Sequence, residues 1–402
     1  MAELPVELYA RIFRLVGAND LTSLSRVTQA FQTEAEHLLY QSVALSKVSE
    51  SSRLLSWCNA VADCERRAAR VNTLRFPTYF KLSPQETSAD SIQTSIARAF
   101  KAMVNLKALY VESAERGVEF HPSLRPSTFE NCEFRLVELL GNLPGFTVDE
   151  VWTLLSSQPD ICYWVPGTGF TMSLDVSSFP PDILPQLRDL LFIRPELTKH
   201  LASRPIRRLS WLFYREEPEK ISLPQAIGIA QSTIPDLQLF RDTLSELYIM
   251  NTLGKDFSAV EVVALVARYA PTLRIFTICS RGSDCAIPAN EHPQLVQAIS
   301  SFQDLDTLLL EVDMPVLHLP NDTCIAPDGP LEQDPFWSGL SPVQCRQIAT
   351  SLMVSCPSLR TISFPLQNPS GISKNPCYSR TANGEAKLVG FDLVDTSSWW
   401  MK

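Results

Sequence analysis

Residues 267–278 read ARYAPTLRIFTI, and residues 353–364 read MVSCPSLRTISF. The two segments align without a gap: Pro271 with Pro357, Leu273 with Leu359, Arg274 with Arg360, Phe276 with Ile362 and Ile278 with Phe364, an offset of 86 residues. Each spells the end of a helix, a proline that stops it, and a strand with apolar residues at alternate positions. Working outward, weaker copies begin at Leu106, Phe134, Ile161, Ile206, Leu244 and Leu305. With Leu273 and Leu359 included, successive copies lie 28, 27, 45, 38, 29, 32 and 54 residues apart. The shorter steps suit a repeated strand-and-helix unit, and three units of about 29 residues would span the longest alignment. The longer steps call for insertions or for further repeats.

Strands joined by helix-length crossovers pair in parallel, with the crossovers running onto one side of the sheet. Crossover helices are expected over 88–103, 148–157, 258–269, 293–302 and 342–356, the last with Val343, Ile348, Leu352 and Met353 facing inward. Over residues 71–365 the pattern resembles a degenerate leucine-rich-repeat domain. That resemblance implies an α/β fold, an irregular solenoid with a parallel sheet. Regular members of that family place Asn or Cys three residues beyond the last strand leucine. Tyr214, Thr252, Arg281, Asp313 and Gln367 stand there instead, so the ladder is missing and a flatter, irregular arc is expected. The alternative is a doubly wound α/β domain, which uses the same alternation of strands and helices.

Ahead of the repeats, residues 4–45 read LPVELYARIFRLVGANDLTSLSRVTQAFQTEAEHLLYQSVAL. Pro5 suits the first turn of a helix on which Leu8, Ile12 and Leu15 share one stripe. Gly17 is placed to end that helix, and Asn19 or Asp20 to cap a second with Leu21, Leu24 and Val27. Phe31, Ala35, Leu38 and Leu39 mark a third. Three short helices carry more apolar surface than a unit of about 40 residues buries alone, which implies a partner. The pattern resembles the F-box, a three-helix module that docks onto a SKP-family adaptor and through it a cullin. Position by position, the resemblance assigns the adaptor surface, or the packing that shapes it, to Leu4, Pro5, Leu8, Ile12, Leu21, Leu24, Val27, Phe31 and Tyr40. It departs from the family at Thr28-Gln29, where Ser-Lys or Ser-Arg is usual, and at Tyr40, where Trp is usual. A plain helical cap on a larger domain is the alternative.

The expected organisation is therefore an F-box over 1–45, a linker helix over 46–70, a leucine-rich-repeat-like domain over 71–365 and a C-terminal cap over 366–402, with Trp399 and Trp400 as an apolar lid. The resemblance implies the substrate-recognition subunit of a Skp/cullin/F-box E3 ubiquitin ligase, with no catalytic residues and no cofactor of its own, which binds a target protein through the repeats. A repeat scaffold acting without cullin recruitment is the alternative.

Composition narrows the remaining classes. Lys and Arg number 35 against 44 Asp and Glu, a net charge of −9, which opposes a broad phosphate-binding surface and hence a nucleic-acid partner. The opening MAELPVEL has no basic head or long apolar run, and no apolar stretch approaches a membrane span, so a cytoplasmic or nuclear location is expected. Ten cysteines lie scattered with no C-x-x-C pair, and the five histidines never fall at metal-ligand spacing. No G-x-S-x-G elbow is present, and GTGF at 167–170 lacks the rest of a dinucleotide fingerprint.

In such a solenoid the strand residues alternating with the core leucines face outward. That rule selects Tyr110, Arg207, Arg208, Tyr248, Arg274 and Arg360 as substrate-binding candidates, since Tyr and Arg are enriched among interface hot spots. Residues 313–340, with Phe336 and Trp337, and 365–385 are connections long enough to carry function as well.

Overall fold

The computed structural model describes residues 6–46, 50–82, 88–112, 120–167, 180, 182–213, 231–251, 259–281, 291–313, 342–363, 366–367, 373–374 and 376–391. The chain is mixed α/β, and it divides into two compact units, Met1–Arg188 and Asp189–Lys402. The residues expected to form one repeat domain, 71–365, fall into both.

The first unit opens with three helices: α1 (Val6–Phe13), α2 (Ala18–Leu24) and α3 (Gln29–Gln41). Gly17 does not end α1 with a left-handed turn; it is the N-cap of α2, at φ −70°, and its carbonyl accepts from Leu21 N–H at 3.0 Å. Thr28 caps α3 by accepting from Phe31 N–H at 3.2 Å. Phe13, Leu21 and Ala35 form a small core, with Val16, Leu24, Phe31, Leu38 and Leu39 packed around it. Phe31 receives the rings of Tyr9 and Phe13 edge-on, at centroid distances of 4.9 and 5.2 Å.

Helix α3 runs directly into strand β1 (Ser42–Ala44), which pairs in parallel with β2 (Thr73–Pro77) in the register Val43↔Leu74. Residues 46–70 are thus not a linker helix. Helices α4 (Ser51–Ala62) and α5 (Glu65–Ala68) form the first crossover of the parallel sheet. The three-helix module is also tied to α5 by charge. Glu36 is nearly buried and takes Arg66 at 2.5 Å and Arg67 at 3.2 Å, while Arg70 reaches His37 Nδ1 at 2.9 Å. The unit continues through β3 (Tyr79–Lys81), α6 (Ala89–Ala102), β4 (Ala108–Glu112), β5 (Phe120–Pro122), β6 (Glu138–Gly141), α7 (Val148–Ser156) and β7 (Tyr163–Pro166). Its sheet has the order β1-β2-β4-β6-β7, with the pairs from β1 to β7 all parallel. Helix α6 shows why: Ile92, Ile96, Ala99 and Phe100 lie on one face and are fully buried, and Ser88 caps its start.

The second unit contains β8 (Asp189–Ile193), β9 (Arg208–Phe213), β10 (Glu246–Asn251), α8 (Ala259–Tyr269), β11 (Ile275–Arg281), α9 (His292–Ile299), β12 (Thr307–Asp313), α10 (Pro342–Ser355), β13 (Thr361–Ser363), β14 (Leu366–Gln367), β15 (Ser373–Lys374), β16 (Pro376–Arg380) and β17 (Ala386–Phe391). From β8 to β13 the strands are parallel and in chain order, and β16 and β17 close the sheet as an antiparallel hairpin. Neither unit reverses its strand order, as a doubly wound sheet does at its switch point. The connection before β9 holds a 3₁₀ helix, Pro195–Leu201, and the one before β10 holds another, Ile234–Phe240, directly after α-helical residues 231–233.

Val343, expected to face inward, is 64% exposed, and three expectations about the spacing of the repeats change. The 86-residue alignment spans two steps, not three, because Ile275 pairs with Thr307 and Thr307 with Thr361; the second step contains residues 314–341, outside the described set. The long step from Ile161 holds strand β8, and Pro185-x-Leu187-Arg188 there repeats Pro271-x-Leu273-Arg274. The copy anchored at Phe134 is anchored by Leu136 instead, two residues before β6 as Leu106 is before β4. Among the expected extra features, Phe336, Trp337, Trp399 and Trp400 lie outside the described residues.

One rule unites the repeats. The residue two before each strand is buried, from Val71, Leu106, Leu136 and Ile161 in the first unit to Leu187, Ile206, Leu244, Leu273, Leu305 and Leu359 in the second. Between that anchor and the strand, the carbonyls of Asn72, Lys107, Val137, Arg207, Ser245, Arg274 and Asp306 each accept two N–H groups of the next repeat. Lys107 O takes Val137 and Glu138 N–H at 2.7 and 3.1 Å, and Arg274 O takes Asp306 and Thr307 N–H at 2.9 and 3.0 Å.

Two substitutions test this packing. Gly141 sits at φ +112°, and a Cβ there would fall 1.9 Å from the Val111 carbonyl oxygen. Gly141→Ala is expected to cost about 3 kcal/mol or more, read as a fall in thermal midpoint. Glu36→Ala removes the acid from α3 but leaves two partly exposed arginines that water can reach. A loss of about 2 kcal/mol is expected, seen as a lower urea midpoint at unchanged slope.

Candidate functional site

On α1 and the turn that follows it, the core face and the open face are different stripes. Phe13 is buried, with Tyr9 and Val16 beside it, whereas Leu8, Ile12 and Leu15, spaced i, i+4, i+7, are 38%, 44% and 89% exposed, and Val27 after α2 is 61% exposed. Of the nine residues expected at an adaptor surface, Leu8, Ile12 and Val27 are therefore open. Leu21 is buried in the small core, and Leu24 and Phe31 are half-buried around it. Tyr40 is also half-buried, beneath the Arg67 guanidinium at 5.6 Å, and belongs to the joint with α5. Burial pushes its hydroxyl above the ordinary tyrosine value, against the attraction of Arg67. Leu4 and Pro5 lie outside the described residues. Leu15, absent from the expected set, is the most exposed of these side chains; its place seven residues after Leu8 was the available signal. Arg11, Arg14 and Arg26 are exposed around this surface.

The six substrate candidates on the sheet separate into three groups. Tyr110 and Arg208 are already engaged. The Tyr110 hydroxyl donates to Glu138, and Arg75 stacks over its ring at 4.9 Å while pairing with Glu112 at 2.7 Å. Arg208 is held bidentately by Asp189, at 2.7 and 2.9 Å. Tyr248 is 4% exposed with Phe192 at a ring distance of 6.5 Å, so it offers no open surface, contrary to the alternation rule. Phe192 reaches it from a bulge at φ +57°, where the register slips between Leu190 and Ile193. The whole row in register with Tyr248 is closed: Ser210, Thr277, Leu309 and Ser363 are buried too. Parallel strands are commonly buried on both faces, and that tendency overrides the simple inside-outside alternation.

Arg207, Arg274 and Arg360 form the third group. They are exposed, each one residue before its strand. Arg274 and Arg360 line an open depression of about 650 Å³ together with Arg241, Asp242, Thr243, Ser245, Thr272, Asp304, Asp306 and Ser358. Arg360 approaches Asp306 at 3.5 Å, and Thr307 Oγ1 donates to the other Asp306 oxygen at 3.0 Å. Beside the depression, in register with Arg208, sits Glu246, one of whose carboxylate oxygens is buried with no hydrogen-bond partner among the described residues. Burial pushes its carboxyl above the ordinary value, against the pull of Arg208.

Among the described residues no group of three or more His, Cys, Asp or Glu side chains is arranged to hold a metal ion, and no helix is long and apolar enough to cross a membrane. No family model matches the chain, and no curated protein matches it.

Glu246 gives a pH prediction. Its folded pKa is raised, so the folded chain holds the proton longer than the unfolded chain does. Stability is then lost as pH rises from the ordinary carboxylate range through the raised value. Glu246→Gln should remove that part of the decline in urea midpoint between acid and neutral pH; an identical decline in the variant would mean that Glu246 does not contribute.

Proposed function

We propose that the chain is a non-catalytic substrate-recognition subunit of a Skp/cullin/F-box E3 ubiquitin ligase. In this reading the N-terminal helices are an F-box, and the strand-and-helix units form a degenerate leucine-rich-repeat solenoid that holds a target protein. The observation that carries it is the exposed set Leu8, Ile12, Leu15 and Val27 on a module whose own small core is already filled from another face. A fully buried aliphatic side chain stabilises by about 1.5 to 3 kcal/mol, so a partner covering several of them gains enough for a lasting complex. Water offers nothing comparable. Tyr40 in place of the usual Trp does not oppose this, because it serves the joint to α5 and not the open face.

The mechanism is proximity. The module holds an adaptor and so a cullin-bound ubiquitin carrier, while the repeats hold the target, which raises the effective concentration of target lysines near the carrier. No residue of this chain needs to act in the transfer. The joint supports such a role: α3 passes without a break into β1, and Glu36 clamps it to Arg66 and Arg67.

The test is co-purification of the full chain with a SKP-family adaptor and a cullin. Leu8→Asp or Ile12→Asp would bury an unpaired charge in the interface and should weaken the complex by more than about a hundredfold, with folding unchanged because both side chains are exposed. Unaltered adaptor binding in both variants removes the proposal. Adaptor binding without cullin recruitment would favour the scaffold reading instead.

A further inference from the structure

Strands β3 and β5 pair antiparallel in the register Tyr79↔Pro122 and Phe80↔His121, and the next step of that register sets Thr78 opposite Ser123. That step is made, since Ser123 N–H donates to the Thr78 carbonyl at 3.0 Å. Helix α6 closes on the same place: Gln93 Nε2 donates at 2.7 Å to the Pro122 carbonyl, which belongs to the peptide leading into Ser123. All three side chains are buried, with Thr78 at 1%, Ser123 at 0% and Gln93 at 7% exposure. Yet Thr78 Oγ1, Ser123 Oγ and Gln93 Oε1 make no hydrogen bond among the described residues.

A buried hydroxyl or amide oxygen without a hydrogen bond has lost its hydration and gained nothing in return, so apolar side chains would serve the same space better. Three such oxygens in one place therefore call for a common partner. Residues opposed across an antiparallel pair carry their side chains on one face, with Cβ atoms about 4.5 to 5.5 Å apart. No direct hydrogen bond joins the Thr78 and Ser123 hydroxyls, and a small molecule that both donates and accepts can span them.

We propose that Thr78, Ser123 and Gln93 hold one ordered water molecule in the core of the first unit. Gln93 Oε1 can only accept, so the water donates one hydrogen to it. A hydroxyl can do either, so one of the pair accepts the second hydrogen while the other donates to the water oxygen. That makes about three hydrogen bonds, the usual complement of a buried water. A cation is the poorer occupant, because these oxygens are neutral and a calcium ion takes about six to eight oxygen ligands. The water ties the first turns of α6 to the β3–β5 pair, and the inference owes nothing to the proposed function.

The test uses the full-length chain. Thr78→Val and Ser123→Ala each remove one hydroxyl. With a shared water, each should lower the urea midpoint at unchanged slope. The double variant should lose less than the two separate losses combined, since the second deletion acts on a water already released. Hydroxyls with no water give the opposite sign, because their removal relieves a desolvation cost and the midpoint rises. A high-resolution crystal structure of the parent should also show a density peak within hydrogen-bond distance of all three oxygens, gone in the double variant. A raised or unchanged midpoint in either single variant, additive losses, or a parent structure with no such peak overturns the assignment.

Discussion

The carbonyl at the entrance of each strand sets everything that follows. By accepting two N–H groups from the next repeat, as Asn72 O does from Lys107 and Ala108 at 2.8 and 3.0 Å, it locks the register before the strand begins. A net hydrogen bond is worth only about 0.5 to 1.5 kcal/mol, yet leaving such groups unpaired in the interior would cost more than that, and the carbonyls of Lys107, Val137, Arg207, Ser245, Arg274 and Asp306 repeat the pattern. Register then decides burial. Leu190, Leu209, Leu247, Phe276, Leu308 and Ile362 stand in one row on adjacent strands, and all are buried. The main chain itself thus joins neighbouring turns at the strand entrances.

This arrangement explains which parts of the fold were legible in the sequence. The anchor leucines were, because Leu106, Ile206, Leu244, Leu273, Leu305 and Leu359 share one environment and tolerate few residue types. Strand β8 was missed although Pro185-x-Leu187-Arg188 copies the two clearest segments, since its crossover to β9 is a 3₁₀ helix that carries no helical period. Strand β1 was missed because Ser42–Ala44 is too short to alternate convincingly and follows α3 without a turn signal. The number of units between Pro271 and Pro357 was misjudged for a simpler reason: residues of an insertion and residues of a repeat count alike when only the spacing is read.

The candidate sites were legible to different depths. The open stripe of α1 followed from helical periodicity, which places Leu8 and Ile12 together and about 100° to 140° around the helix from Phe13, with Leu15 continuing the stripe in the turn that follows. The sheet face was harder, since a polar residue on a strand reads as solvated whether or not something lies over it. Tyr248, Thr277 and Ser363 are buried despite their polarity, while Arg274 and Arg360 stay open because they precede the strands proper. Position along the repeat, and not residue type, separates the two groups.

Under the proposed function, the open stripe and the charged depression offer different chemistry to a partner. Apolar burial is strong and non-directional, so the stripe on α1 suits a constant partner for which affinity matters more than discrimination. A charged groove gains little from each exposed pair, because hydration competes with it. What such a groove provides is rejection of wrong sequences, which an apolar stripe cannot supply. Arg241, Arg274, Asp304 and Asp306 lie in a chain of net charge −9, where a basic patch alone would invite any acidic surface and an acidic patch alone would only extend the prevailing field.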